Sequence, residues 1–167
     1  LGSDDASGDD FTIDIMNKKK ADTLVMISPV CPLIETSDLN NSLDAYKQSD
    51  ADTLISCSKT QMQTFCEEKA VNIEPNGPLA PTQLNPSVLI CNWAITIWNV
   101  NVFRRLYEKF SGGYCGEKRL LWPIGPWKSI KISNEDDFIM AEKLLISKQL
   151  SATNNDKPRY WNSQNGN

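Results

Sequence analysis

The length, charge and composition of the chain exclude several classes of protein. It has 167 residues with a formal net charge of −4, and 40% of its residues are hydrophobic. A chain of this length can form one domain with one core. Its acidic balance argues against the clustered basic surface that nucleic-acid binding requires. It contains no histidine, which removes Ser-His and Cys-His nucleophilic catalysis.

Neither a membrane span nor a disulfide framework is expected. The longest apolar run, Val88–Trp98, is too short to cross a bilayer and carries Asn92 and Thr96. The five cysteines are an odd number without a C-x-x-C pair, which disfavours both zinc binding and paired disulfides. We therefore expect a cytoplasmic protein without a membrane partner, in which all five cysteines are buried structural thiols.

Apolar periodicity predicts helices and strands that alternate along the chain. Ser7 followed by Asp9 and Asp10 has the pattern of a helix start, because a hydroxyl caps the first turn and acidic residues suit the helix dipole. The predicted helices are one that starts at Ser7, Glu35–Ser49, Val100–Phe110 and one from Ser133 to about Gln149. The predicted strands are Val25–Ile27, Ala51–Cys57, a short one within Lys69–Glu74, Val88–Trp98, Leu120–Trp122 and Lys128–Ile132.

The string ADTL occurs at residues 21–24 and again at residues 51–54, at two successive joints between a helix and a strand. This spacing is about the length of one strand–helix–strand unit, in which the two strands run parallel. We therefore predict an α/β fold with a mostly parallel sheet and helices on both faces. Residues 1–150 are predicted to form this domain, and residues 151–167 a polar tail. The chain begins without methionine and offers few strands before its first helix, so we expect further sequence upstream of Leu1.

Three predicted strand ends carry residues that could contact a ligand, because ligands of open α/β sheets bind beyond the carboxyl ends of strands. Ser28–Leu33 is a proline-containing loop that could line a site or simply join a strand to a helix. Asn92 lies in an apolar strand, where its amide could bind a ligand or cap a neighbouring strand. Lys131 and Ser133 precede the acidic run Glu135–Asp137, which could hold a divalent cation or supply first-turn charges to a helix.

Taken together, several segments resemble the acylneuraminate cytidylyltransferase family, the CMP-sugar synthetases that act on nine-carbon sugar acids. The segments occur in the family's order and at about its spacing, and they cover the chain to about Leu145. They are LGSDDASGDD at Leu1–Asp10 (family L-A-x-D-x-A-S), SPVCPL at Ser28–Leu33 (family Q-P-T-S-P-L), DADTLIS at Asp50–Ser56, Gln83 with Pro86 leading to Asn92–Ala94 (family N-G-A), and Ser129–Phe138 (family S-I-D-I-D-T-E-x-D-F).

The resemblance implies a nucleotide-diphospho-sugar transferase fold and attack of a sugar-acid hydroxyl on the α-phosphate of CTP, with release of pyrophosphate. In the family, Mg²⁺ and basic side chains neutralise the phosphates during this transfer. By position, Ser28 would contact the nucleotide, and Asn92 and Gln83 would contact the sugar. The family's two metal-binding aspartates fall on Lys131 and Ser133, so no residue is assigned to a metal. We hypothesise that Lys131 is the catalytic cation and replaces part of the Mg²⁺ charge.

The departures from the family pattern leave other functions open. Besides the change at Lys131, Trp93 replaces the glycine of N-G-A and would crowd or fill the sugar site. The main alternative is a catalytically degenerate relative that binds a nucleotide or sugar, or acts as an interaction module, without turnover. A glycosyltransferase of the same general fold is a more distant alternative. The family often dimerises through a mid-chain excursion, so residues 59–86 are a candidate homodimer contact.

Overall fold

The computed structural model describes the backbone of residues 6–153 and the side chains of residues 6–150. The first half of the family-like segment Leu1–Asp10, namely Leu1–Asp5, therefore lies outside the described residues. The predicted polar tail lies outside them from residue 154 onwards. The described residues fall into two compact units that divide after Lys131. The first unit contains the sheets and the first three α-helices, and the second contains the closing helix.

Strands and helices alternate over most of the first unit, as the sequence predicts. The helices are α1 (Gly8–Lys18), α2 (Thr36–Gln48), α3 (Val100–Phe110) and, in the second unit, α4 (Glu135–Thr153). The strands are β1 (Thr23–Ile27), β2 (Thr53–Thr60), β3 (Phe65–Cys66), β4 (Lys69–Ala70), β5 (Val88–Asn99) and β6 (Arg119–Pro123). No helix within the described residues is both long and apolar enough to cross a membrane.

The main sheet is mixed and mostly antiparallel, so the prediction of a mostly parallel sheet is wrong. Its strand order is β1-β5-β2-β6, where β5 runs antiparallel to both β1 and β2, while β2 and β6 pair in parallel. β1 and β2 do point the same way, as the ADTL spacing predicts, but β5 is inserted between them. β5 reverses direction because it follows β2 through the excursion of residues 61–87 and returns alongside it, as the second arm of a wide hairpin.

Side chains cap the helices at the positions where the backbone leaves donors free. Ser7 caps α1: its hydroxyl oxygen accepts from the Asp10 N–H at 3.1 Å, and the Asp10 carboxylate accepts from the Ser7 N–H at 2.9 Å. In the second unit, Asn134 rather than Ser133 caps α4, and its side-chain oxygen accepts from the Asp137 N–H at 2.9 Å. Caps of this kind stabilise a helix by about 0.5–2 kcal/mol, which explains why the sequence marks these starts well.

Lys128–Ile132 does not form the predicted strand. Residues 126–129 form a 3₁₀ turn instead, with Pro126 in its first position. Lys128 pairs there with Glu35 and Asp38 at the start of α2. The alternation of polar and apolar residues in this segment therefore reflects a turn that faces α2, not a pleated strand.

The expectation that all five cysteines are buried is also wrong. Cys31 and Cys57 are buried, whereas Cys66, Cys91 and Cys115 are exposed, and all five thiols are free. Cys91 is exposed because β1 pairs with residues 95–99 of β5, which leaves the earlier part of β5 open on one side. A sequence pattern identifies the apolar strand but does not identify how far its neighbour extends.

Helices cover both faces of the sheet, as predicted. On one face, α1 and α3 pack around a cluster formed by Met16, Trp98, Val100 and Phe103. On the other face, α2 packs against a cluster formed by Leu54, Ile95 and Ile97. Burying side chains of this size stabilises the fold by about 1.5–3 kcal/mol each, so β5, which contributes to both clusters, is the central strand of the core.

The turn before β6 depends on Gly116 and Asp52. Gly116 has φ +63°, and a Cβ there would lie 2.1 Å from the Thr53 Oγ1. The Asp52 carboxylate accepts from the N–H groups of Glu117 at 3.1 Å and Lys118 at 2.8 Å. The turn therefore requires a residue without a side chain and a carboxylate that satisfies its backbone donors.

Replacing Gly116 with alanine is expected to destabilise the fold by about 2–4 kcal/mol, because the added methyl meets Thr53 and the backbone is left-handed. Gly125→Ala is the matched control, since its φ is −56° and no atom lies within 4 Å of its Cβ position. The control should change the free energy of unfolding by less than about 1 kcal/mol. Urea denaturation followed by circular dichroism measures both variants, and equal losses would contradict this account of the turn.

Candidate functional site

The candidate site lies at the carboxyl edge of β1, β2 and β6, where β5 departs from regular pairing. The register shifts between Ile55 and Cys57 of β2, because these residues pair with Thr96 and Cys91, respectively. β5 therefore carries extra residues here, which form a bulge centred on Trp93. Trp93 has φ +57°, a left-handed conformation that favours glycine. The position that the family fills with glycine is thus one where the backbone itself favours glycine.

Polar side chains satisfy the backbone donors that the bulge frees. The Asn92 Oδ1 accepts from the Ala94 N–H at 3.1 Å and from the Ser56 hydroxyl at 2.6 Å. The Ser56 Oγ in turn accepts from the Ile95 N–H at 2.9 Å. Because an unsatisfied buried donor costs about 1–3 kcal/mol, these side chains hold the bulge in one conformation.

The same hydrogen bonds link the bulge to the turn after β6. The Asn92 Nδ2 donates to the Ser129 hydroxyl at 3.0 Å and, at a longer 3.5 Å, to the Ser58 hydroxyl. We call Ser56, Ser58, Asn92 and Ser129 the serine–asparagine network. Asn92 has protein partners at both its oxygen and its nitrogen, and its one backbone partner, the Ala94 N–H, belongs to its own strand rather than to a neighbouring one. Its role as a sugar contact stays a prediction.

Ser28, the predicted nucleotide contact, lies beside the bulge at the end of β1. Its N–H donates to the Ala94 carbonyl at 2.9 Å, which continues the pairing of β1 with β5. The Cys31 N–H then donates to the Ser28 carbonyl at 3.2 Å, which closes the loop. Burial raises the pKa of the Cys31 thiol, while a hydrogen bond with Ser28 and the charge of Lys131 act in the opposite direction. The fold thus brings the Ser28 loop and Lys131 to the same edge.

Two lysines at this edge have different surroundings. Lys128 donates to Asp38 at 2.7 Å and to Glu35 at 2.9 Å. These contacts, that with Asp38 foremost, raise the pKa of Lys128 against the opposing effect of its partial burial. Lys131 is exposed and makes no hydrogen bond or ion pair with another residue that the structure describes. Lys131 is therefore a cation that an anionic ligand can reach.

The structure does not bring the other predicted residues into this network. Gln83 lies in an exposed 3₁₀ turn of the excursion, where its carbonyl accepts from the Gln61 side chain at 2.9 Å. Among the described residues, no hydrogen bond connects Gln83 with Asn92. Ser133 belongs to the second unit, where its N–H donates to Asp137 at 2.9 Å. The acidic run lies in the first turn of α4, which is where helix-start charges are expected.

The residues at this edge do not fit Mg²⁺. This ion prefers carboxylate and water oxygens, whereas the network offers hydroxyls and one amide. The nearby carboxylates of Glu35 and Asp38 are paired with Lys128. Within the part of the chain that the structure describes, no group of three or more His, Cys, Asp or Glu side chains could hold a metal ion.

A concavity of about 550 Å³ opens away from this edge, at the glycine-rich segment between α3 and β6. Two of its charged lining residues, Asp9 and Arg119, are already paired within the protein. The Asp9 carboxylate accepts from the N–H groups of Gly113 at 2.6 Å and Tyr114 at 2.9 Å. The Arg119 guanidinium donates to two carbonyls of the same segment. These groups hold the loop in place, whereas Lys131 at the strand edge is exposed and makes no ion pair with another described residue.

Sequence reasoning did not identify the serine–asparagine network as a unit, although part of its signal was present. Ser56 and Ser58 alternate along β2, which places two hydroxyls on one face of the strand. Asn92 is an amide in an apolar strand and therefore needs partners. The missing information was the register, because the bulge decides which residues of β2 lie opposite Asn92.

The class that the structure shows is an α/β protein with a mixed sheet that helices cover on both faces. The structure is similar to that of 4-diphosphocytidyl-2C-methyl-D-erythritol synthase from Anaerococcus prevotii DSM 20548, with a TM-score of 0.55 and 13% sequence identity. The match covers 84% of this chain and 65% of that chain, so this chain spans less than two thirds of the similar protein's length. At this identity the likeness shows the fold alone. No family model matches the sequence, and no curated protein does.

The left-handed backbone at Trp93 predicts an unusual order of stability for two substitutions. Alanine and glycine both lack the indole ring, so the difference in stability between these two variants reports the effect of backbone conformation. We expect Trp93→Gly to be more stable than Trp93→Ala by about 1 kcal/mol. At Cys91, in the regular part of the same strand, alanine should instead be more stable than glycine by about 0.5–1 kcal/mol. Urea denaturation of the four variants checks this, and the same order at both positions would contradict the geometry of the bulge.

Proposed function

We propose that this chain is a nucleotidyltransferase that transfers CMP from CTP to a nonulosonic, sialic-acid-like sugar acid and releases pyrophosphate. The observation that carries the proposal is that three family-like segments far apart in sequence meet at one edge of the sheet. Ser28 hydrogen-bonds the backbone of Ala94, and Asn92 hydrogen-bonds Ser129. A chance resemblance between short motifs would not require these segments to converge at the edge where open α/β sheets bind ligands.

The similar solved structure supports the same class of chemistry. By its name, that protein is a synthase whose product carries a cytidyl group on a diphosphate. A fold can host many unrelated functions, so this analogy adds to the proposal but does not carry it. The main support for the proposal comes from the residues at the edge of the sheet.

In the proposed reaction, each predicted residue has a defined role. Lys131 would lie against the phosphates and stabilise the negative charge that develops as pyrophosphate leaves. The Ser28 loop would contact the nucleotide. Asn92 and Gln83 would contact the sugar acid, and Asn92 could do so by exchanging the Ser129 hydroxyl for a ligand hydroxyl. The anomeric hydroxyl of the sugar acid would attack the α-phosphorus and lose its proton to solvent, while the bond from that phosphorus to the bridging oxygen breaks and pyrophosphate leaves.

A second candidate function is binding of a nucleotide or sugar without turnover. Two observations favour it. Among the described residues, the carboxylates nearest this edge, Glu35 and Asp38, are paired with Lys128 and therefore do not replace the family's metal ligands. Trp93 also occupies the glycine position in the bulge. This candidate predicts nucleotide affinity in the absence of pyrophosphate release.

A homodimer through the excursion is the partner contact that we propose. Met62, Leu79 and Leu84 in this segment are each more than 70% exposed. Apolar side chains concentrated in one exposed segment often mark a contact with another protein. Light scattering gives the mass of the chain in solution, and a monomer at micromolar concentration would remove this part of the proposal.

Pyrophosphate release by the longest gene-encoded form of the chain tests the proposed function. The assay supplies CTP with a panel of nonulosonic acids and Kdo, with and without Mg²⁺. Release with one acid supports the transferase. Bound nucleotide or bound sugar acid without release from any pair supports the non-catalytic alternative, and absence of both binding and release contradicts both.

Lys131→Ala is expected to weaken CTP binding about tenfold or more, because a charge–phosphate contact of this kind is worth about 1.5–3 kcal/mol. Lys47→Ala is the matched control: Lys47 is also exposed but lies in the last turn of α2, at the other end of that helix from Glu35. Isothermal titration calorimetry with CTP measures both variants. Unchanged affinity and turnover in Lys131→Ala would rule out the proposed role of this residue.

A further inference from the structure

Two thiols lie opposite each other next to the candidate site and have no part in the proposed reaction. Cys57 of β2 and Cys91 of β5 are direct cross-strand partners. Partner Cα atoms in antiparallel strands lie about 4.5–5.5 Å apart, and disulfides form at Cα separations of about 4.4–6.8 Å. Side chains of direct partners project from the same face of the sheet, so the two sulfurs can be joined without moving the strands apart.

The two thiols differ in exposure, which fixes the order in which an oxidant would reach them. Cys91 is exposed on the part of β5 that β1 does not cover. Cys57 is fully buried, between β5 on one side and β6 on the other. An oxidant in solution therefore reaches Cys91 first. Cys57 lies inside the sheet, where it can react with the oxidised Cys91.

We propose that Cys57 and Cys91 form a reversible disulfide when the chain meets a small-molecule disulfide oxidant such as oxidised glutathione. The Cys91 thiolate attacks one sulfur of oxidised glutathione, the bond between its two sulfurs breaks, and one glutathione leaves as a thiolate that takes up a proton. The Cys57 sulfur loses its proton and attacks the Cys91 sulfur of the mixed disulfide, which releases the second glutathione. Two protein thiols are oxidised, and one glutathione disulfide is reduced to two thiols.

Cys57 and Cys91 lie next to the candidate site, so their oxidation state is linked to the geometry of that site. Cys57 lies between Ser56 and Ser58, and Cys91 directly precedes Asn92, so three residues of the serine–asparagine network are chain neighbours of the two thiols. A disulfide would fix the last regular pair before the bulge. Burial is the largest cause that raises the pKa of both thiols, so the thiolate fraction is low at neutral pH and the exchange should become faster as the pH rises.

Cys115 is the thiol that competes for Cys91. It is exposed, and its charge contributes to raising the pKa of Cys91. It lies in the irregular segment between α3 and β6, where no strand register holds it opposite Cys91. The direct pairing across β2 and β5 therefore favours Cys57 as the partner, and the competition can be resolved by peptide mapping.

The experiment oxidises the full chain with oxidised glutathione, blocks the remaining thiols by alkylation, and maps the tryptic digest by mass spectrometry without reduction. Each of the five cysteines lies on a separate tryptic peptide, so every linkage is distinguishable. We expect a Cys57–Cys91 linked peptide, a fall in free thiols from five to three, and full recovery with dithiothreitol. Cys115→Ala should retain the linkage, and Cys91→Ser should lose it.

Both variants change exposed residues, so loss of folding does not confuse the result, and the wild-type map needs no variant at all. Three outcomes would overturn the proposal. In the first, Cys91 remains as a mixed disulfide with glutathione. In the second, Cys91 is linked to Cys115 or Cys66. In the third, Cys91 does not react.

Discussion

The bulge in β5 is the feature on which the rest of the candidate site depends. A strand that carries extra residues loses regular ladder bonds at that point, and each buried donor left without a partner would cost about 1–3 kcal/mol. Asn92 and Ser56 meet this requirement with their side chains, which accept from the N–H groups of Ala94 and Ile95. Because the same asparagine also reaches Ser129, the solution to a backbone problem in one strand also anchors the turn after β6. The edge is organised before any ligand arrives.

Charge at this edge explains why binding and turnover are separable questions for this chain. Lys128, in the turn after β6, is paired with two carboxylates at the start of α2, whereas Lys131 is exposed and without an ion pair among the described residues. One lysine about 4 Å from a phosphate contributes about 1–4 kcal/mol, depending on how much water surrounds it. A divalent ion carries twice that charge and contacts several phosphate oxygens at once. A single exposed lysine at this edge therefore sets an upper limit on the charge stabilisation that the described residues could supply to the proposed transfer.

The sequence predicted local elements well because their determinants are local. Ser7 and its acidic neighbours indicate the start of α1, and the apolar run from Val88 indicates β5. The direction of β5 could not be predicted in this way, since it depends on where the long excursion returns to the sheet. The strand expected at Lys128–Ile132 failed for a related reason: its alternation arises from a lysine that faces the carboxylates of α2, and those contacts lie more than eighty residues away in the chain. Asn92 was open to two interpretations, and the register of β2 shows that its amide has protein partners.

Trp93 shows how the strain of the bulge is offset by its surroundings. A tryptophan with a left-handed backbone costs about 1–2 kcal/mol relative to an ordinary conformation. Its ring lies 5.1 Å from that of Tyr114, which in turn lies 4.8 Å from the buried Trp98. Aromatic contacts of this kind contribute about 0.5–1.5 kcal/mol each beyond the area that they bury, which is enough to offset the cost of the left-handed backbone.

The Asp9 carboxylate accepts from the Tyr114 N–H and holds Tyr114 in place, so the bulge is supported from the face of the sheet that α1 and α3 cover. A glycine at this position would remove the strain and the brace together. The tryptophan therefore couples the candidate site to the core, and a change in this contact would be felt at the strand edge.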